Sequence, residues 1–160
     1  MRLLRPFLSF AIGFGFLYFV LVEVRGFMAA RGVPAGYFSF FGKEHQELAL
    51  FAMNMALHLV PEVILLVSGM AVCTLLLKGR RVFNAAMFAV GAAVSYAFWL
   101  LFYQFAAHAQ TAGAPVLNWQ ELLRSFQGPW WASPSLVSPF VGIAIGVWLA
   151  AKSGSSAAPR

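Results

Sequence analysis

Four long apolar stretches constrain the fold of this chain more than any other feature of its sequence. They cover about residues 6–24, 48–77, 82–107 and 136–152. Each is close to the roughly 20 residues that an α-helix needs to cross the hydrocarbon core of a bilayer. Charged residues make up only 10% of the chain, against about 25% in a typical soluble domain, so they cannot cover a water-facing surface. The sequence therefore predicts an all-α integral membrane protein, a four-transmembrane-helix bundle.

The basic residues predict the orientation of this bundle, because short cytoplasmic segments of membrane proteins carry an excess of Lys and Arg. With the N-terminus inside, the inner segments hold most of the basic residues, namely Arg2, Arg5, Lys78, Arg80, Arg81, Lys152 and Arg160. The outer segments then hold fewer, namely Arg25, Arg31, Lys43 and Arg124. We therefore expect an N-in/C-in protein of the inner (plasma) membrane of a bacterium. We expect residues 1–152 to form one domain and residues 153–160 to form a disordered cytoplasmic tail.

The first apolar stretch has the basic start and apolar middle of a secretory signal. However, Glu23, Val24 and Arg25 stand where small residues would mark a cleavage site. We therefore expect the first stretch to remain as an uncleaved anchor helix.

The outer loop between helices 3 and 4 contains a helix signal of its own. Asn118 can cap a helix, and Glu121 follows three positions later, as in a capping box. The apolar residues after Asn118 recur at helical spacing, and Gly128-Pro129 ends the run. We expect a short amphipathic interfacial helix on the outer membrane surface. The interfacial anchors would be Trp119, Trp130 and Trp131.

Small residues on the predicted helices mark where helices can approach closely. Helix 4 carries Gly142, Gly146 and Ala150 on one face. Similar stripes lie on helix 3, at Ala85, Ala89 and Ala93, and on helix 1, at Ser9 and Gly13. The helix 4 face either packs within the bundle or contacts a partner subunit, and spacing alone does not separate the two.

Polar residues inside the apolar stretches identify the candidate site. Asn54, His58 and Glu62 are spaced i, i+4 and i+8, so they share one face of helix 2, and Pro61 is expected to kink the helix there. Counting about 1.5 Å per residue brings polar residues of helices 1 and 3 to a similar level near the outer boundary. The predicted intramembrane cluster comprises Glu23, Arg25, Asn54, His58, Glu62, Tyr96, Tyr103 and Gln104.

This cluster allows two interpretations. In the first, Glu62 or Glu23 pairs with Arg25, His58 bonds Tyr103, and the network fixes the helices against one another. In the second, Glu62 or His58 titrates in a small cavity during transport, since ionisable groups at membrane depth are functional candidates.

Several kinds of chemistry are not expected from this sequence. The basic residues form no continuous face for nucleic acid, and Cys73 is the single cysteine, so paired thiols are excluded. His58 and His108 differ in height by roughly 9 Å, whereas the axial ligands of one haem should be level. The chain contains no Asp, no G-x-S-x-G and no H-E-x-x-H. We therefore predict a non-enzyme with no cofactor and no metal site.

These observations favour a small polytopic protein that works through contacts. We expect a non-enzymatic interaction or accessory subunit of a membrane complex, or an immunity-type protein against a membrane-active toxin. One alternative is a small oligomeric proton- or solute-coupled transporter using Glu62 and His58. A second is a redox membrane anchor for quinone or haem. The expected partners are the lipid bilayer and a membrane protein or further copies of the chain.

Overall fold

The described part of the chain is all-helical. The computed structural model describes residues 4–31, 40, 42–77, 80–112 and 129–155, with the backbone alone at 28–29, 43, 103–112 and 154–155. The α-helices whose bounds lie within these residues are α1 (Leu4–Phe19), α2 (Arg25–Arg31), α3 (Gln46–Asn54), α4 (Val60–Leu76), α5 (Arg81–Ala112) and α6 (Ser133–Ser155). A π-helical turn at Val20–Val24 joins α1 to α2, and another at Met55–Leu59 joins α3 to α4. Short 3-10 turns at Lys43–His45 and Trp130–Ala132 precede α3 and α6.

Four continuous helices result, and each is long and apolar enough to cross a membrane. Those spans are Leu4–Phe27, Gln46–Leu76, Arg81–Phe102 and Trp130–Ser153. The all-helical class and the four apolar helices predicted from the sequence are therefore confirmed.

The ends of these helices differ from the expected ones. The first helix continues through α2 to Arg31, beyond the predicted end near residue 24. The fourth helix begins at Trp130 instead of residue 136. Pro134 does not prevent this earlier start, because it lies in the first turn of α6, where a backbone N–H would have no helical partner. The fourth helix continues to Ser155, so residues 153–155 of the predicted tail are helical. The rest of that tail, the predicted interfacial helix and Trp119 lie outside the described residues.

Pro61 explains why the second helix contains a π-turn. A proline within a helix has no N–H to donate, and its ring clashes with the carbonyl four residues before it. That carbonyl belongs to Leu57, inside the π-turn Met55–Leu59. The structure accommodates the proline in one widened turn.

The widened turn also sets which residues share a face. In a regular α-helix, Asn54 and Glu62 would be about 80° apart, because eight residues at about 100° each exceed two turns by that amount. A π-turn adds one residue to the turn, which brings the two side chains to within about 20°. Both are buried on the same side of the helix, at 8% and 0% exposure.

The first helix packs against α5 with the two backbones in close contact. A Cβ placed on Gly13 would overlap the carbonyl oxygen of Phe88, and one on Gly91 would overlap that of Phe10. The contact face of α5 therefore includes Gly91, whereas Ala93 of the predicted stripe is exposed. Ala85 is buried in the core and Ala89 packs against it, so Ala93 is the one member of the predicted stripe that lies off the packed face, while Phe88 and Gly91 make the closest contacts with the first helix.

The second helix packs against the fourth through the glycines of α6. A Cβ on Gly142 would lie 2.8 Å from Leu66 Cδ1, and one on Gly146 would lie 2.8 Å from Met70 Sδ. Leu66 and Met70 belong to the buried core of the bundle, and Ala150 packs at its edge. The structure thus places the glycine face of the fourth helix against α4 within the chain.

Candidate functional site

An ion pair between Arg25 and Glu62 lies at the centre of the candidate site. Arg25 Nε donates to Glu62 Oε1 over 2.6 Å, and Arg25 Nη2 donates to Oε2 over 2.9 Å. The side chain of Glu62 is 1% exposed and that of Arg25 is 14% exposed. Two parallel hydrogen bonds between a guanidinium and a carboxylate form a strong and geometrically specific contact. The pair joins the first helix to the second.

The fourth helix completes this pair from its N-terminal turns. Ser138 Oγ donates to Glu62 Oε2 over 2.5 Å, and Arg25 Nη2 donates to the carbonyl oxygen of Ser135 over 2.6 Å. Pro139 explains why that carbonyl accepts a side chain, because residue 139 would normally donate its N–H to residue 135 and proline has none. The Ser135–Pro139 spacing therefore creates a backbone acceptor that Arg25 occupies.

The third helix covers the guanidinium with aromatic rings. Arg25 Cζ lies 5.3 Å from the centre of the Trp99 ring, within the range of a cation–π contact. Tyr96 stacks on Trp99 with ring centres 6.1 Å apart, and its hydroxyl donates to the Leu136 carbonyl over 3.0 Å. We call Arg25, Glu62, Trp99, Ser135 and Ser138 the Arg25 cluster, and it draws on all four helices.

Polar contacts continue from this cluster along α3. Asn54 Nδ2 donates to the carbonyl oxygens of Leu50, over 2.9 Å, and Trp131, over 3.1 Å. About two turns farther out, Trp130 Nε1 donates to Glu47 Oε2 over 2.8 Å. Asn54 and Glu47 of the second helix thus bind the beginning of the fourth helix.

His58 lies beside the Arg25 cluster without a hydrogen bond to it. Its Nδ1 is 3.5 Å from Glu62 Oε1, and its side chain is 22% exposed. The Nδ1 atom of His58 is buried and has no hydrogen-bond partner among the residues that the structure describes. His58 thus adjoins the carboxylate of the ion pair.

The structure brings together most, but not all, of the residues in the predicted cluster. Arg25, Asn54, Glu62 and Tyr96 take part in the contacts described above, and His58 adjoins them. Glu23 is exposed and takes part in none of these contacts. The side chains of Tyr103 and Gln104 lie outside the described residues.

Sequence reasoning did not find the partners from the fourth helix. Ser138 is a small polar residue in an apolar run, and such residues are common at helix contacts. The available signal was the pair of prolines, since Pro61 precedes Glu62 and Pro139 follows Ser138 directly. Pro61 stands next to Glu62, which binds Arg25, and Pro139 leaves the Ser135 carbonyl free to accept a hydrogen bond from Arg25.

The chemistry open to this arrangement is narrow. Both oxygens of Glu62 accept hydrogen bonds from Arg25, so the carboxylate is held as the partner of a cation. Cys73 is buried, and its Sγ lies 3.6 Å from Ser9 Oγ. Within the described ranges, no group of three His, Cys, Asp or Glu side chains is arranged to hold a metal ion.

Comparison with known proteins gives no relatives from which a role could be carried over. No family model, no curated protein and no solved structure matches this chain.

Proposed function

We propose that this chain is a four-span inner-membrane protein, N-in/C-in, that acts as a non-enzymatic interaction or accessory subunit of a membrane complex. An immunity-type protein that blocks a membrane-active toxin is one form of that role. The proposal has two parts, the placement in a bilayer and the absence of catalysis, and different observations support each.

Placement in a bilayer is supported by the outer surface of the bundle. Large apolar side chains are exposed on each of the four long helices, for example Phe7 at 65%, Ile64 at 59%, Phe98 at 54% and Trp148 at 59%. Soluble monomers rarely expose contiguous apolar patches above a few hundred Å². Lipid and a protein partner are the two environments that would cover such a surface.

The non-enzymatic role rests on the Arg25 cluster. Among the described residues, Glu62 is the one buried carboxylate, and its bidentate pairing leaves it neither a free base nor a nucleophile. The cluster links all four helices, which is what a scaffold requires. The observation that carries the proposal is that both carboxylate oxygens of Glu62 are hydrogen-bonded to Arg25.

Photocrosslinking tests the interaction role directly. A benzoylphenylalanine residue replacing Phe7, Phe98 or Phe140, which are exposed on three different helices, samples three faces of the bundle. We expect a discrete protein adduct from one face in cells that express the chain at native level. Phe88 is fully buried and serves as the matched control. Lipid adducts alone from every exposed position would contradict the interaction role.

Reporter fusions test the orientation. A cytoplasm-active reporter fused after Arg160 or inserted between Gly79 and Arg80 should be active, whereas an insertion between Arg31 and Lys43 should be inactive. The reverse pattern would overturn the N-in/C-in orientation.

A second candidate function, proton-coupled transport, is favoured by His58. Its unbonded Nδ1 lies 3.5 Å from the ion pair, and π-turns, which are frequent at functional sites, flank both Arg25 and Glu62. In proteoliposomes, His58→Leu and Glu62→Gln should then abolish pH-driven flux. Unchanged flux in His58→Leu would exclude His58 as the titrating group.

A further inference from the structure

A groove at the opposite end of the bundle from the Arg25 cluster has the features of a lipid site. It lies between α4 and α6, and its volume is about 320 Å³, at the lower end of the roughly 300–1,000 Å³ of ligand pockets. Ala71 and Leu149 line it and are exposed, so the groove opens to the outer surface of the bundle. We call it the α4–α6 groove.

The shape of the groove suits an extended chain. Its lining on α4 extends from Val67 to Leu75, a rise of about 12 Å along the helix axis. The lining on α6 extends in the same direction, from Gly146 to Ser153. Ala71 has a small, exposed side chain, which leaves room on the α4 side of the groove. An occupant would therefore lie parallel to the helices.

Polarity changes from one end of the groove to the other. Val67, Met70 and Gly146 line the end nearer the middle of the bundle, whereas Thr74, Ser153 and Arg81 line the end where α4 stops and α5 starts. An apolar trough with a cation at its mouth matches an acyl chain attached to an anionic group.

The charge around the mouth has one sign. Arg80, Arg81 and Lys152 are exposed at this end. From residue 63 to the C-terminus the sequence contains a single acidic residue, Glu121, and it lies outside the described residues. Basic pockets between membrane helices on the cytoplasmic side bind anionic lipid headgroups.

We propose that the α4–α6 groove binds an anionic phospholipid of the surrounding bilayer, with an acyl chain along α4 and α6 and the phosphate at Arg81. The inference rests on the proposed membrane placement. It adds a specific lipid to the bilayer contact, because Arg81 selects for the charge of the headgroup while the groove holds the chain.

Native mass spectrometry of the full chain in mild detergent tests this site. The probes are phosphatidylglycerol and phosphatidylcholine with identical acyl chains, so that only the headgroup charge differs. We expect one phosphatidylglycerol to bind more tightly than phosphatidylcholine. Arg81→Gln should weaken phosphatidylglycerol binding about fivefold, the effect of one basic residue near an anionic lipid. Arg80→Gln is the matched control, since Arg80 does not line the groove, and it should have a smaller effect.

A second pair of variants tests the acyl-chain part of the site. Ala71→Phe fills the groove and should reduce binding of both lipids, whereas Val72→Phe places the same ring on the exposed neighbouring face and should not. Equal effects of the two arginine variants would overturn the groove site in favour of unspecific surface charge. Unchanged binding in Arg81→Gln would overturn it as well, whether or not Ala71→Phe folds.

Alkaline carbonate extraction separates this inference from the membrane placement. A chain released from membranes by carbonate would overturn the placement. A chain that stays in the membrane pellet but shows no preference for phosphatidylglycerol would overturn the lipid site alone.

Discussion

Breaking the Arg25–Glu62 pair from one side should destabilise the bundle far more than removing both partners. Arg25→Met leaves Glu62, whose side chain is 1% exposed, with Ser138 as its remaining hydrogen-bond partner. Glu62→Met leaves Arg25 with the Ser135 carbonyl and the Trp99 ring. Removing one partner of a buried ion pair costs about 3–5 kcal/mol, because the other charge stays buried without compensation.

The structure ranks these variants. Arg25→Met should lie near the upper value, about 5 kcal/mol, and Glu62→Met near the lower, about 3 kcal/mol, since Arg25 is the more exposed and keeps more contacts. The double variant replaces both charges by apolar side chains and should cost less than either single one, because apolar replacement of a buried pair is often close to neutral.

The free energy of unfolding can be measured by SDS titration of the purified chain in mild detergent, followed by far-UV circular dichroism. Glu23→Met is the matched control, because Glu23 is an exposed acid near the same level, and it should have little effect. Single costs below about 1 kcal/mol, the range of an exposed ion pair, would refute the reasoning. Additive costs in the double variant would refute it too, since residues in contact should couple.

Two further predictions concern the backbone contacts. Gly13→Ala should destabilise the fold by about 1–3 kcal/mol, the usual cost of overpacking, because the new Cβ meets a backbone carbonyl of α5. Gly15→Ala is the control, since a Cβ there has nothing within 4 Å, and it should be neutral or slightly stabilising. Equal melting temperatures for the two variants would contradict the close approach of α1 and α5. Pro139→Ala restores a backbone N–H that can donate to the Ser135 carbonyl. In the same SDS titration, it should therefore stabilise an Arg25→Met chain more than it stabilises the wild type, in which Arg25 already donates to that carbonyl. An equal effect in both backgrounds would show that Arg25 does not use this carbonyl.

Sequence reasoning predicted the features that depend on one helix at a time. Hydropathy identified the four helices, and the axial rise per residue placed Arg25, Glu62 and Tyr96 at one end of the bundle. Both quantities follow from local sequence, since a helix has the same rise whatever packs against it.

Contacts between helices were predictable only in part. The sequence offered the pairing of Arg25 with Glu62 as one of two alternatives, and the structure has it, but it did not identify the other partners of Arg25. Ser138 and Trp99 meet Arg25 because α6 and α5 present particular faces, and those faces are set by close contacts such as Gly13 with Phe88. The π-turn at Met55–Leu59 adds to the difficulty, because one extra residue changes the facing of everything beyond it by about 100°.

The same π-turn has a consequence for how this helix tolerates changes in length. Deleting one residue between Met55 and Leu59 would remove the extra residue of the turn and rotate everything before it by about 100° relative to α4. Asn54 and Glu47 would then swing away from Trp131 and Trp130, while Glu62 kept its place opposite Arg25. One extra residue in the π-turn thus determines which side of α3 faces the fourth helix, and it does so without changing the facing of α4.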